Sequence, residues 1–459
     1  MKLDAKGATG KQAVCKFYKE EKMLIEQIKK AFMPKIASAP QLPRPGLRHY
    51  EREVKDTQVR YHLRVDTDGS GILIANAAAV CRLSPTGVVI SEGLLENTSE
   101  NAIRKRIAKL FTNVESTVVD KDIDEVKRTI EDMAFPGSKY PLFNLDDTGA
   151  TARKRALAAP LSAELSMDGT GDPRARIDKL WEVAAPQVVL IHLPGADGKR
   201  IVESVERAED HGLIAGVRAT GSAFLENNLL DQLAQAGLDH GDIYWAGADG
   251  AHHDSLFGEG DHESAKKVFL KCRELELCPV AVVPVVSGSI ERIEATLESL
   301  QEHGVNAVTM FAIAEEEEIE PSGGVKAGAL RQALVTAEEL CDRLHINLVF
   351  APPVERDPSE PLEVQVRRGP RAAGEASIRV EPDGSVIPPH GPPDSVGNIL
   401  TQPFGEIWKH EAFKHLRESV TEPEPCEECP GLVSCMTGCP VDPAIWARLG
   451  TPEKGSAEE

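Results

Sequence analysis

The sequence is poor in basic residues, in long apolar segments and in cysteine, and each shortage excludes a class of protein. Its 52 lysines and arginines are outnumbered by 73 acidic residues, and the resulting net charge of −21 argues against a general nucleic-acid binder. No apolar run approaches the roughly 20 residues that a membrane helix needs. Residues 1–22 also lack the apolar centre of a secretion signal. These shortages predict a cytoplasmic protein that has neither nucleic acid nor a membrane as its partner.

The nine cysteines are distributed unevenly along the chain. Five are scattered singly and fit ordinary small buried residues. The other four, in "CEECPGLVSCMTGCP", have the spacing C-x2-C-x5-C-x3-C and are Cys426, Cys429, Cys435 and Cys439. In a reducing compartment, clustered thiols are typical of metal ligands rather than of structural disulfides. We therefore predict a metal centre here, although the spacing alone does not separate zinc from an iron–sulfur cluster.

Short apolar segments alternate with longer amphipathic helices between residues 158 and 352. The six predicted strands are "PLSAELSM", "PQVVLIHL", "GLIAGVRA", "DIYWAGA", "CPVAVVPVV" and "AVTMFAI". Strand–helix alternation predicts an α/β fold in which crossover helices cover a parallel sheet, either open or closed into a barrel. In both cases the functional residues are expected at the carboxyl ends of the strands.

A chain of 459 residues is too long for one ordinary core, so we expect several domains. The predicted boundaries are an N-terminal helix and linker at 1–46, a small α/β domain at 47–135, a linker at 136–157, the alternating region at 158–352, a cysteine-bearing domain at 353–450 and a disordered tail at 451–459.

Few other polar residues suggest a site. The segment "AHHDSLFGEGDH" offers His252, His253, Asp254 and His262 as metal ligands, but adjacent histidines point in different directions on regular structure. We interpret this segment as a polar loop between a strand and a helix. No Ser/His/Asp arrangement and no phosphate-binding loop is legible in the sequence.

Three stretches of the sequence resemble domains of one enzyme family. "AAGEASIRVEPDGSVIPP", "VGNILTQPFGEIWKHEAFKHLRE" and the cysteine segment resemble the SPASM domain, the auxiliary-cluster module of radical S-adenosylmethionine enzymes. Residues 158–352 resemble the partial barrel of those enzymes. Residues 47–135 resemble the PqqD-like domain called the RiPP recognition element, chiefly in "ILIANAAAVCRLSPTG". The resemblance implies a partial (β/α)6 TIM-like barrel between a small winged-helix-like α+β domain and a C-terminal SPASM-like domain.

The residues on which the family's radical chemistry depends are missing here. The family places three cysteines, C-x3-C-x2-C, just after the first barrel strand, but this chain reads "LSMDGTGDPRARIDKL" there and has no cysteine between Cys81 and Cys272. Hard oxygen ligands such as Asp168 do not replace thiolates. The family's "GGEP" has become "PGAD" at 194–197, and the Asn of its "TNG" has become Thr220. The resemblance with these losses implies that S-adenosylmethionine is not bound and that no radical is generated.

The C-terminal module is also reduced relative to the family. Arg371 and Pro389 stand where the family has cysteines, and no cysteine follows Cys439. Four thiolates remain, which is enough for one centre if Cys439 closes the same site as the other three. The resemblance therefore implies one [4Fe–4S] cluster, with zinc as the alternative.

These observations predict a degenerate radical-S-adenosylmethionine/SPASM-like protein that binds a peptide or protein partner and one C-terminal metal centre. Relatives of the small N-terminal domain bind a peptide as an added strand at a sheet edge. One setting is peptide modification, in which the chain is the inactive partner of an active paralogue. Two alternatives stay open: an enzyme that borrows a cluster or uses non-radical chemistry, and a scaffold that zinc stabilises. The sequence does not decide whether any reaction is catalysed.

Overall fold

A computed structural model describes residues 35–36, 42–135 and 159–413, apart from short gaps at 56, 77–78, 113–114, 170, 194, 316–319, 352, 372–376 and 388–393. Several predictions lie outside the described residues. They are the N-terminal helix, the linker at 136–157, Pro389, the four clustered cysteines and the tail at 451–459.

The strands, in chain order, are β1 (Lys35–Ile36), β2 (Gly46–Val54), β3 (Thr57–Val65), β4 (Gly71–Ala75), β5 (Ala79–Leu83), β6 (Phe111–Thr112), β7 (Ser162–Ser166), β8 (Gln187–Ile191), β9 (Ile214–Ala219), β10 (His240–Tyr244), β11 (Cys278–Val285), β12 (Ala307–Ala314), β13 (Asn347–Phe350), β14 (Val354–Glu355), β15 (Ser377–Val380), β16 (Ser385–Ile387) and β17 (Gly397–Asn398).

The α-helices, in chain order, are α1 (Pro85–Leu95), α2 (Glu100–Leu110), α3 (Ser116–Ala134), α4 (Pro173–Glu182), α5 (Gly198–Asp210), α6 (Gly221–Leu225), α7 (Leu229–Gln235), α8 (Gly250–Phe257), α9 (Asp261–Glu274), α10 (Ile293–Glu302), α11 (Ala327–Leu344), α12 (Leu362–Arg368) and α13 (Phe404–Trp408). In the described part of the chain, none of them is both long and apolar enough to cross a membrane.

The chain divides into two compact units. The first comprises Met1–Pro43 and Val89–Thr129, and the second comprises Arg44–Val88 and Ile130–Glu459. In the first unit, α2 and α3 bury one apolar stripe each, at the three-to-four-residue spacing that places side chains on one helix face. The resulting core consists of Val89, Ile90, Ile103, Ile107, Leu110, Phe111, Val119 and Ile123.

The second unit contains a four-stranded antiparallel sheet in the order β2-β3-β4-β5. Ile72 and Ile74 of β4 belong to the same apolar core as Leu161 and Ala163, which lie at the start of the large sheet. The buried guanidinium of Arg64 donates hydrogen bonds to the carbonyls of residues 159 and 160, at 2.6 and 2.8 Å. The small sheet therefore packs against the amino end of the large sheet.

The large sheet confirms the predicted α/β fold with a partial barrel. Strands β7 to β13 are parallel and adjacent in chain order, and β15 pairs in parallel with β7 at the other edge. The six predicted strands correspond to β7 through β12. Strand β13 was not predicted, because "NLVF" is only four residues long and follows directly on a helix. Strands β16 and β17 extend the sheet in antiparallel pairs.

Helices that cover the large sheet begin with aspartates directly after its strands. The carboxylates of Asp172, Asp197 and Asp249 accept hydrogen bonds from backbone N–H groups in the first turns of α4, α5 and α8. Such caps satisfy donors that have no partner inside the helix. The chain therefore reverses tightly after β7, β8 and β10, and the carboxyl ends of these strands meet short loops.

Candidate functional site at the carboxyl ends of the barrel strands

The interior face of the barrel contains charged side chains on strands β7, β9 and β10. Arg218 on β9 forms an ion pair with Glu164 on β7 at 2.8 Å and lies 3.6 Å from the carboxylate of Asp242 on β10. All three are almost fully buried. Burial alone would lower the pKa of Arg218, but the two carboxylates outweigh it and hold that pKa above its ordinary value. The guanidinium is therefore charged at any physiological pH.

A buried histidine continues this arrangement. The amide nitrogen of Gln187 lies 3.1 Å from Nε2 of His240, and Nδ1 of the same ring lies 2.7 Å from Asp242. Because an amide nitrogen only donates, Nε2 accepts and Nδ1–H donates to the carboxylate. Gly216 is needed beside the ring, since a Cβ there would lie 2.0 Å from Cε1 of His240. We call the connected side chains of Glu164, Arg218, Asp242, His240 and Gln187 the barrel polar chain.

Helix α12 covers the interior at the carboxyl ends of β10 to β12. Val366 is fully buried and packs in one apolar cluster with Tyr244, Phe311 and Ile313. The hydroxyl of Tyr244 donates to the carbonyl of residue 367 at 2.8 Å. Arg379 of β15 donates to the carbonyl of residue 368 at 3.1 Å. The chain thus closes this part of the barrel mouth with its own residues.

The loop after β7, of which residues 167–169 and 171–172 are described, packs tightly against the turn between β15 and β16. A Cβ added at Gly171 would lie 1.8 Å from the carbonyl oxygen of Pro382, so only glycine allows this approach. The guanidinium of Arg200 on α5 donates to the carbonyls of Gly169 and Gly171. The loop is therefore held from two sides, by the turn and by α5.

A second arginine binds the end of β7, just before this loop. Arg176 on α4 is fully buried and donates to the carbonyl of Ser166 at 2.7 Å and to that of Glu381 at 3.2 Å. Burial, followed by the charge of Arg200, lowers the pKa of Arg176 to about 10, so it remains protonated at neutral pH. It joins the end of β7 to the end of β15.

Histidines near the barrel mouth have structural partners. The predicted polar loop around His252 and Asp254 is instead helix α8, which Asp249 caps. His253 is fully buried: its Nδ1 accepts from the backbone N–H of residue 246 at 3.1 Å, and its Nε2 lies 3.0 Å from Asp261. The His262 ring stacks on Trp245 at 4.8 Å. Among the described residues, no three His, Cys, Asp or Glu side chains are arranged to hold a metal ion.

Comparison with known proteins finds one domain match and several relatives. The iron–sulfur cluster-binding domain SPASM matches residues 372–430. PqqA peptide cyclase of Xanthomonas campestris pv. campestris is 26% identical over 277 residues, covering 57% of this chain and 71% of the relative. PqqA peptide cyclase of Methylorubrum populi is 24% identical over 291 residues, covering 58% and 72%. The SPASM match and the similarity to PqqA peptide cyclases support a radical S-adenosylmethionine/SPASM protein. A crystal structure of Streptococcus suis SuiB superimposes with a TM-score of 0.49 at 13% identity, covering 85% of this chain and 95% of SuiB.

The loop after β7 does not offer thiolates for the cluster on which radical S-adenosylmethionine/SPASM enzymes depend. It contains no cysteine, and the cysteines of the described residues are Cys81, Cys272, Cys278 and Cys341. Burial raises the pKa of Cys272 and of Cys341 to about 12, so both are neutral thiols rather than thiolate ligands. Burial, and then the charge of Glu381, also raises the pKa of Asp168. The residues present here do not fit a three-thiolate iron–sulfur cluster.

Two residues that the resemblance aligns with family motifs, Asp197 and Thr220, serve as helix caps. Asp197 accepts from the backbone N–H of residue 199 at 3.0 Å. Thr220 accepts from the backbone N–H of residue 223 at 3.3 Å. Both side chains are thereby committed to the beginnings of α5 and α6.

Residues of the SPASM-like region that the structure describes stabilise the turn between β15 and β16 and contribute to the main core. The amide of Asn398 donates to the carbonyl of Asp383 at 2.8 Å, and Trp408 packs in the main core beside Ile407 and Phe413. Arg371, which the resemblance aligns with a family cysteine, is half-buried. The match to the SPASM model includes Cys426 and Cys429 and ends before Cys435.

Proposed function

We propose that this radical S-adenosylmethionine/SPASM protein binds a peptide or protein partner and does not start radical chemistry itself. The observation that carries the proposal is the loop after β7. It lacks cysteine, its backbone is in close contact with Pro382, and Arg200 donates to two of its carbonyls, while Arg176 binds the end of β7 just before it. A cluster would need both new ligands and a different path of the chain.

Two further contacts support the absence of S-adenosylmethionine binding. Asp197 is used as the cap of α5, so its carboxylate is committed to backbone N–H groups. Val366 and the main chain of α12 occupy space above Tyr244, at the end of the barrel where small ligands of this fold class normally enter. A ligand at the mouth would have to displace this helix.

A peptide partner is supported by the similarity to enzymes named PqqA peptide cyclase. Strands β2 and β5 are the outer strands of the four-stranded sheet, and an extended peptide can add to the edge of an outer strand through main-chain hydrogen bonds. We propose that residues 47–135 supply the peptide-binding surface, in the cytoplasm. An active paralogue of the same family is the protein partner that this role favours.

The metal centre is proposed at Cys426, Cys429, Cys435 and Cys439, with one [4Fe–4S] cluster as the occupant. Support comes from the match to an iron–sulfur cluster-binding domain, which extends over the first two of these cysteines. Four thiolates at this spacing satisfy one cluster, and the same donor set would also hold zinc.

The test measures metal content and S-adenosylmethionine cleavage on anaerobically purified full-length protein. We expect about four irons and four sulfides per chain, lost in a Cys426→Ala/Cys429→Ala variant and kept in the matched control Cys81→Ala. We expect no 5′-deoxyadenosine from dithionite-reduced protein, with the Xanthomonas campestris PqqA peptide cyclase assayed in parallel.

The alternatives give different results in the same experiment. About eight irons per chain together with 5′-deoxyadenosine would contradict the proposal and indicate an active enzyme. Cleavage that appears only when a second family member is added would indicate a borrowed cluster. One zinc and no iron would indicate a zinc-stabilised scaffold.

A further inference from the structure

Two histidine rings meet where the β2–β3 hairpin packs against the barrel. The rings of His49 and His62 lie edge to face with their centroids 4.7 Å apart. Both press on Gly212, which follows α5 with φ = +66°. A Cβ on Gly212 would lie 2.7 Å from Nδ1 of His49 and 3.1 Å from Nε2 of His62. Both rings can approach the barrel only because this position is glycine.

His62 is suited to this place only as a neutral ring. Its side chain is 5% exposed, and neither of its ring nitrogens has a hydrogen-bond partner. A charged imidazolium without a partner is strongly disfavoured in such surroundings. Burial, and then the neighbouring His49 and Arg60, lowers the pKa of His62 to about 3.

When the β2–β3 hairpin is docked on the barrel, Nε2 of His49 must be unprotonated so that it can accept a hydrogen bond. The indole Nε1–H of Trp181 on α4 points at Nε2 of His49, at 3.4 Å, and this contact is lost when Nε2 carries a proton. Trp181 stacks on His211 with the ring centroids 5.0 Å apart, and His211 lies 2.8 Å from the carboxylate of Asp178. Burial, and then the charges of His211 and Arg60, lowers the pKa of His49.

The surrounding charges do not compensate for protonation of the two rings. The titratable groups around them are Arg60 on β3, Asp178 on α4, Arg207, Glu209 and His211 at the end of α5, and Asp239 before β10. Arg207 and Arg60 already pair with Asp178 and Glu209. Burial raises the pKa of Asp239 to about 6, so this carboxyl group loses its charge in the same pH range.

We propose that His49, His62 and Gly212 form a pH-sensitive latch, which keeps the β2–β3 hairpin on the barrel while both rings are neutral and releases it when they take up protons. The two histidine rings bind fewer protons in the docked state than in the released state, because their pKa values in the docked state lie below the ordinary 6.5. Docking is therefore strongest above that pH and weakens below it, by about tenfold per pH unit for each proton taken up.

Hydrogen exchange followed by mass spectrometry tests the latch on the full-length protein between pH 7.5 and 5. After correction for the intrinsic exchange rate, we expect the protection of residues 46–65 to fall by about tenfold per unit below pH 6.5. Strand β11 serves as the internal reference and should keep its protection. A flat profile for residues 46–65, or a parallel loss in β11, would overturn the proposal.

Variants separate the latch from general acid sensitivity. His62→Leu removes the buried titrating ring, and His49→Gln keeps an acceptor for Trp181 without a proton-binding nitrogen, so each should reduce the pH slope. If one variant fails to dock at pH 7.5, the other supplies the readout. The matched control His345→Asn, at a left-handed position far along the chain, should retain the full slope. A wild-type slope in both His62→Leu and His49→Gln would refute the assignment.

Discussion

The two ends of the barrel are closed by different chemistry. At the carboxyl end, the arginines at positions 176, 200 and 379 donate to main-chain carbonyls of loops and turns. At the amino end, the hairpin rests on two neutral histidine rings over a glycine. Arginine keeps its charge across the physiological range, whereas histidine titrates within it. Closure of the carboxyl end is therefore independent of pH in this range, whereas we expect closure of the amino end to depend on pH.

The largest effect is expected from a single methyl group at the carboxyl end. Gly171→Ala places a Cβ against the backbone of Pro382, which cannot move aside without disturbing both loops. We expect a loss of about 3 kcal/mol in the free energy of unfolding, measured by urea denaturation. Gly405→Ala is the matched control, because nothing lies within 4 Å of its added Cβ, and it should be neutral or slightly stabilising.

The next effect concerns the arginine that joins β7 to β15. Arg176→Met should cost about 2 kcal/mol of unfolding free energy, because the carbonyls of Ser166 and Glu381 lose a buried charged donor. Arg174→Met, two residues away on the exposed side of α4, should change stability by less than about 0.5 kcal/mol. Equal losses in the two variants would show that the closure does not depend on the buried guanidinium.

Lower pH should weaken the docking of the hairpin at the amino end of the barrel and leave the loops at the carboxyl end unchanged. Lowering the pH from 6.5 to 5 should weaken hairpin docking by about 2 kcal/mol through His62 alone, at 1.36 kcal/mol per pKa unit. The sign follows from a folded pKa below the unfolded one: the stabilisation is present above pH 6.5 and is lost as the pH falls. Exchange of amides in residues 167–172 over the same range should show no comparable change.

The smallest expected effect is at the cover of the barrel mouth. Tyr244→Phe removes one hydrogen bond, from the Tyr244 hydroxyl to the carbonyl of residue 367, while keeping the ring in its apolar cluster. We expect a loss of about 1 kcal/mol in unfolding free energy. Faster exchange of residues 362–369 should accompany it, and unchanged exchange there would mean that Val366 alone holds the helix.

Local sequence patterns predicted the parts of the fold that local interactions build. The six apolar strands and the alternating helices follow from hydrophobic spacing, and the absence of cysteine after β7 could be seen directly. Pairing of β15 with β7 could not be predicted, since more than 200 residues separate the two strands and periodicity carries no information on long-range partners.

The barrel polar chain was missed although the sequence contained a signal for it. Glu164 and Arg218 stand in the otherwise apolar strands "SAELS" and "IAGVRA", and His240 and Asp242 are two residues apart in "HGDIY". Residues two apart on a strand share a face, so these charges fall on one side of neighbouring strands. The helix at 250–257 was taken for a loop because the capping role of Asp249 was overlooked.

The parallel pairing of β15 with β7 has a consequence for how the protein is made. During synthesis β7 emerges roughly 200 residues before its partner, so one edge of the growing sheet stays open until residues 377–380 arrive. An open edge is a template for pairing with other chains. The nascent chain therefore depends on its own last quarter to shield it from aggregation, and any truncation before β15 leaves that edge bare.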